Sequence, residues 1–291
     1  MPILSILIVI KYFAPSFNRK LALISGSEQA TVVKQSKKTH IPHAWVYRLA
    51  GWVTNTNVEK AGFLQTWFMT GRSRDFKMRV YPGFGYLAVF IFLTISRTKR
   101  NHFTNIDLNN TGNILLVLSL IYFVSFVIMQ ALMQLSFSEK YKASWIYYTT
   151  PIRMPGELIL GSVKAAICKF YLPVVLIIVL AGIFFIGPGI IPNLLLGISN
   201  QILLSFMISF ISLRGFPFSQ MESAKRKGTS FMRGLMSLFI PFLLICLHFL
   251  VFKYTVPIFL LLALSIIANW LIAGSIAQRG WKYFNGNYRE D

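Results

Sequence analysis

Acid is scarce in this chain. Nine of its 291 residues are Asp or Glu, against 29 Lys and Arg, and all charged residues together make up 13%. A soluble domain carries about 25%. The six longest apolar runs hold no Asp or Glu at all. That argues against proton-coupled transport, which relies on intramembrane carboxylate relays, and against a membrane enzyme built on acid–base pairs.

Cysteine is nearly absent too. Cys168 and Cys246 are too few for a disulfide framework and too far apart for a metal motif, so both read as inert buried thiols. His40 and His43 stand three apart with no further ligand at convincing spacing, which leaves no metal centre to expect. There is no glycine-rich loop ending in Gly-Lys-Ser/Thr, the arrangement that cradles nucleotide phosphates. No cofactor and no catalytic constellation are therefore expected, and any ATP would bind another chain. The apolar runs also lack the alternation of an outer-membrane barrel.

What is abundant is continuous hydrophobicity: 55% of the residues are hydrophobic and 15% aromatic. A hydrocarbon core takes about 20 apolar residues in a helix. Six runs qualify, at 81–96, 113–136, 167–187, 191–213, 232–252 and 255–277. The fold class is all-α: a polytopic membrane protein with a six-helix transmembrane core over 80–277. The uncharged "GPGIIPN" joining the third and fourth runs reads as a tight helical hairpin. A seventh apolar piece at 1–14 is too short to span comfortably and lacks the basic start and cleavage site of a secretory signal. It reads as a marginal span or the remnant of an upstream one, with an interfacial helix as the plain alternative.

The formal net charge of +20 would point to nucleic acid in a soluble protein. In a membrane protein it reports topology and anionic lipid instead, so no nucleic-acid partner is expected. Residues 15–79 are placed inside, and alternation puts 137–166, 214–231 and the tail 278–291 there as well. With Arg233 at the membrane edge, those regions hold 23 of the 29 basic residues; the outer connections hold Arg97, Lys99, Arg100 and Lys253, and Lys11 and Lys169 lie in or beside spans. The C-terminus is thus expected inside.

Two segments stand apart from the spans. Over 58–70, "VEKAGFLQTWFMT" sets Phe63 with Trp67 and Leu64 with Phe68 at i,i+4 spacing, an apolar stripe too short to cross. Arg72, Arg74, Lys77 and Arg79 follow. The pattern predicts an amphipathic interfacial helix with its cations anchored on lipid headgroups; an ordinary basic flank is the alternative. The 15–57 region reads as loop with a helix around "HAWVYRLAGWV".

The second segment runs from Ser138 to Ala166. Glu139 to Tyr148 can form about two and a half turns of helix before Thr150–Pro151 stops it. A new helix then starts with Pro155 in its first turn and Glu157 where the dipole favours an anion. From spacing alone this is either a short docking helix or a loop with helical ends.

In order and sidedness, these elements resemble the permease subunits of type-2 ABC exporters, found in bacterial inner membranes. There the second core span is followed by an acidic residue, a short coupling helix, a Ser-Pro-Ile-like turn and an E-x-x-x-G-K stretch. The matching residues are Pro151, Ile152, Glu157, Gly161 and, shifted by two places, Lys164. "GFPFSQ" at 215–220 resembles a recurring Pro-Phe-Ser element of some bacterial members, and 58–70 corresponds to their amphipathic connecting helix. The chain departs from the pattern in "KYKAS" after Glu139 and in the short "FKYT" connection between the last two spans. The resemblance, over roughly 58–277, implies a coupling loop at 137–166. Glu139, Trp145, Ile146, Tyr147, Tyr148, Pro151, Arg153 and Glu157 would receive an ABC ATPase subunit, with help from the basic connection 214–227. A second permease copy or a sister subunit would complete the pathway. The competing readings are a non-transporting membrane scaffold or sensor that recruits a partner through its basic loops and, more weakly, an integral-membrane lipid enzyme.

Overall fold

The computed structural model describes residues 43–97, 108, 110–213, 215–221 and 227–285. The opening segment 1–14, residues 15–42 with His40, the basic patch at 98–100, residues 214 and 222–226 of the 214–227 connection and the tail after 285 lie outside the described residues. Among the described residues the chain is helical, with no strand beyond one isolated bridge between Phe137 and Gln220.

Helix α1 (Ala44–Val53) turns Val46 and Ala50, four apart, inward. Helix α2 (Asn57–Arg72) starts from Thr56, whose side chain accepts from Glu59 N while Glu59 Oε2 reaches back to Asn55 N at 2.8 Å. This Thr-x-x-Glu exchange satisfies donors that a helix start leaves open. Helix α3 (Arg74–Arg97) runs straight through Pro82. The first span therefore begins well before 81, and Arg74, Lys77 and Arg79 form its opening turns.

Helix α4 (Thr111–Gln134) is capped by the Asn110 side chain accepting from Gly112 N. After it come a 3-10 turn (Tyr141–Ser144) and the five-residue helix α5 (Trp145–Thr149), in place of the continuous helix expected from Glu139. Thr150 is extended, as a residue before proline must be. Helix α6 (Pro155–Ala166) passes through a π-helical turn (Ile167–Tyr171) into α7 (Leu172–Ile186), making one apolar segment of 32 residues. Gly187 ends it at φ 101°, which only glycine adopts easily, and a short 3-10 turn leads directly into α8 (Ile191–Ser212). This is the expected hairpin. Helices α9 (Lys227–Val251, containing Pro241), α10 (Thr255–Ala277) and α11 (Trp281–Asn285) complete the chain.

Among the described residues, five helical segments are long and apolar enough to cross a membrane: Arg74–Thr94, Thr111–Gln134, Pro155–Ile186, Pro188–Ser212 and Thr255–Ala277. The fifth expected run falls on α9, where Phe239–Val251 is a shorter apolar stretch. This is the pattern of a helical multi-pass membrane protein. Helices α4 and α8 sit at its centre and are mostly buried, whereas α10 is largely exposed and turns Phe259, Leu260, Leu264, Ile267 and Trp270 outward.

Polar side chains bind the bundle together. The Tyr122 hydroxyl accepts from Asn200 and pairs with His248 Nδ1 at 3.1 Å; because Asn193 Oδ1 can only accept from His248 Nε2, the neutral ring's Nδ1 accepts the Tyr122 proton. His248 Nε2 then carries the proton donated to Asn193 Oδ1, and Asn193 donates to the Phe252 carbonyl. Gln201 bonds the Ile121 carbonyl, and Asn269 bonds the Ser199 carbonyl. Asn200, Gln201, Asn269 and His248 thus act as the interhelical glue that isolated intramembrane polar residues usually supply.

Candidate functional site

The segment after α4 builds an exposed wedge on a buried base. On α5, Trp145 is 63% exposed, and Ile146 and Tyr148 also face outward, as do Glu139, Pro151, Arg153 and Met154 around them. Such a row of exposed large side chains is what a docking surface needs. Tyr147 departs from its neighbours. It is buried, stacks on Phe216 at 4.6 Å, donates to the Pro217 carbonyl at 2.9 Å and accepts from Gln65 Nε2. Burial pushes its phenol well above the ordinary range, so it stays a donor. Its place is beneath the exposed face of α5, out of reach from outside.

Phe216 is the hub of that base. Tyr147 and Phe284 stack on it, and Tyr148 and Trp281 lie within 6 Å of it, ring centre to centre. The 215–220 segment reaches this position because it is strapped to the end of α4: Phe218 N bonds the Leu135 carbonyl, Gln220 N the Ser136 carbonyl and Ser138 N the Gln220 carbonyl. On the other side, Trp281 Nε1 donates to the Ile152 carbonyl in the turn after Pro151. Arg279 donates to the Phe210 and Leu213 carbonyls, closing the end of α8, while its own carbonyl accepts from Gly156 N. The wedge is therefore tied to the ends of α4, α6, α8 and α10.

Helix α2 is fastened to the same body. It crosses α6 where Gly62 faces the Leu158 backbone and Gly161 faces the Glu59 backbone; a Cβ on either glycine would overlap the opposing carbonyl. Three polar links flank the crossing. The Thr56 hydroxyl donates to Glu157 Oε2 at 2.7 Å, Lys164 Nζ stands 2.6 Å from Glu59 Oε1, and Lys164 also donates to the Val53 carbonyl at 2.8 Å. The Glu59–Lys164 contact is an ion pair with the carboxylate buried. Glu157, Gly161 and Lys164, which the sequence marks as one motif, all serve this clamp. Glu157 is thereby committed to Thr56 within its own chain and is not displayed on the wedge.

The four expected lipid anchors divide. Arg72 and Arg74 are exposed; Lys77 and Arg79 are half-buried, and the Arg79 carbonyl accepts from Gln130. The apolar stripe of α2 is also placed differently from a lipid-facing one. Phe63 is buried, Leu64, Trp67 and Phe68 are half-buried, and α1 covers them, with Trp45 edge-on to Trp67 at 5.3 Å and Tyr47 beside Phe68. Lys169, at the start of the third span, donates to the Trp67 carbonyl and the Thr70 hydroxyl. Among the described residues no three His, Cys, Asp or Glu side chains gather as a metal site requires.

The residues that sequence reasoning passed over are Glu59, Gln65, Phe216 and Trp281. Only Phe216 carried a signal, through its place in "GFPFSQ". Compared with protein-family models, curated proteins and solved structures, the chain matches none.

Proposed function

We propose that this chain is the membrane-embedded permease subunit of an ABC-type export system, driven by ATP hydrolysed on a separate ATPase subunit. The observation that carries the reading is the wedge: Trp145, Ile146, Tyr148, Pro151 and Arg153 exposed on a buried aromatic base tied to the ends of four bundle helices. A partner that grips and moves the wedge moves those helix ends together, which is how work done outside a bundle switches its packing. The charge distribution, 23 basic residues to four, supports a wedge on the inner face. The resemblance to type-2 exporters over 58–277 supports the same assignment. A second copy or a sister subunit supplies the other half of the pathway.

Trp145→Asp tests this. Its side chain is largely exposed, so the variant is expected to insert at the normal level. Co-purification of an ATPase is expected to be lost with it. An ATPase retained together with ATP-dependent export would refute the assignment; capture of a partner without ATPase activity would favour a recruiting scaffold instead.

A further inference from the structure

We infer that α1 is a lipid-binding helix, laid on the anionic headgroups at the entrance of the third span. Trp45, Arg48 and Trp52, spaced three and four apart, fall on one helical face opposite buried Val46 and Ala50. Trp52 is 87% exposed and Trp45 57%, with Tyr47 exposed on the flank. Nothing acidic interrupts the helix; its sequence is "AWVYRLAGWV". Ten residues cannot cross a bilayer, yet two tryptophans around an arginine are the composition of a helix lying in the headgroup plane.

The depth of α1 in the molecule agrees. Its inner face belongs to one hydrophobic cluster with Phe63 of α2 and with Ala165 and Cys168 of the third span segment. The outward apolar band of that segment starts one turn further on, with Leu172, Leu176, Ile177 and Leu180 exposed. Lys169 lies between these levels, and its amine is held by the end of α2. Helix α1 therefore lies where the hydrocarbon-facing surface gives way to the polar boundary. Arg72 and Arg74, exposed nearby in the chain, extend the cationic character toward the first span. A lipid surface fits this face better than a protein pocket: the aromatics are spread along two turns around a cation, and the adjoining surface already faces lipid.

The inference shares with the export reading only the membrane, and the two fail separately. The test uses the full chain with Cys168→Ser and Cys246→Ser, carrying a fluorophore at Trp52→Cys or, as a second position, Trp45→Cys. It is reconstituted into phosphatidylcholine vesicles with and without phosphatidylglycerol. Nitroxide placed high on the acyl chains is expected to quench the probe, water-soluble nitroxide to leave it bright, and phosphatidylglycerol to strengthen the lipid quenching. Arg48→Glu reverses one charge and should shift the ratio of lipid to aqueous quenching by roughly tenfold. Equal aqueous quenching at both positions in both vesicles would overturn the inference. So would a probe reached by neither quencher until an added partner protein was removed, since the face would then be a protein-docking surface.

Discussion

The clamp between α2 and α6 gives the sharpest energetic prediction. Glu59 has 3% of its side chain exposed and Lys164 19%, with 2.6 Å between Oε1 and Nζ. Lys164→Met leaves the Glu59 carboxylate buried without a cation and strips the Val53 carbonyl of its donor. Removing one partner of a buried pair costs about 3–5 kcal/mol, and the partial exposure of Lys164 puts this case at the lower end, near ~3 kcal/mol. Glu59→Gln should cost less, because the amide still accepts from Asn55 N and Lys164 can extend to water. The double variant Glu59→Gln/Lys164→Met should recover part of the loss, giving a coupling of about 1–3 kcal/mol. Thermal unfolding in detergent, followed by tryptophan fluorescence, reads the series. A loss of ~3 kcal/mol corresponds to a fall in Tm of roughly 6–12 °C for a chain of this size class. Near-neutral single substitutions that simply add would refute the argument that this pair holds α2 in place.

Two further outcomes follow from the same contacts. Gly161→Val drives a side chain onto the Glu59 carbonyl, so the crossing must open; overpacking costs about 1–3 kcal/mol, and crosslinking between cysteines placed on α2 and α6 should weaken. Tyr147→Phe leaves the ring stacked on Phe216 but strands the Pro217 carbonyl and the Gln65 amide. A loss of about 1–3 kcal/mol in thermal unfolding is expected, with Gln65→Leu added to the variant returning part of it.

Much of the bundle is legible in the sequence because length and hydropathy alone decide it. The last span falls on Thr255–Ala277 and the "GPGIIPN" hairpin turns at Gly187, where the sequence puts them. The start of the first span is harder to place: Arg74, Lys77 and Arg79 read as a polar flank ahead of the span, yet the helix starts at Arg74 and continues through Pro82, although an interior proline forfeits one backbone hydrogen bond. The site is less legible than the fold. Four consecutive residues of α5, Trp145 to Tyr148, look equally suited to docking, and what singles out Tyr147 is Phe216, 69 positions later in the chain. Likewise the stripe on α2 looks lipid-facing until α1 is folded over it. Local periodicity marks which face is apolar; only tertiary packing decides what covers that face.

The central claim is that an exposed wedge on the inner face receives a partner's work. Its most direct test is a cysteine at Ile146, an exposed position on α5, in the chain carrying Cys168→Ser and Cys246→Ser. Membrane-impermeant maleimide should label it in inverted membranes and not in intact cells, with labelling suppressed when the ATPase subunit is bound. Labelling from outside intact cells would contradict the account.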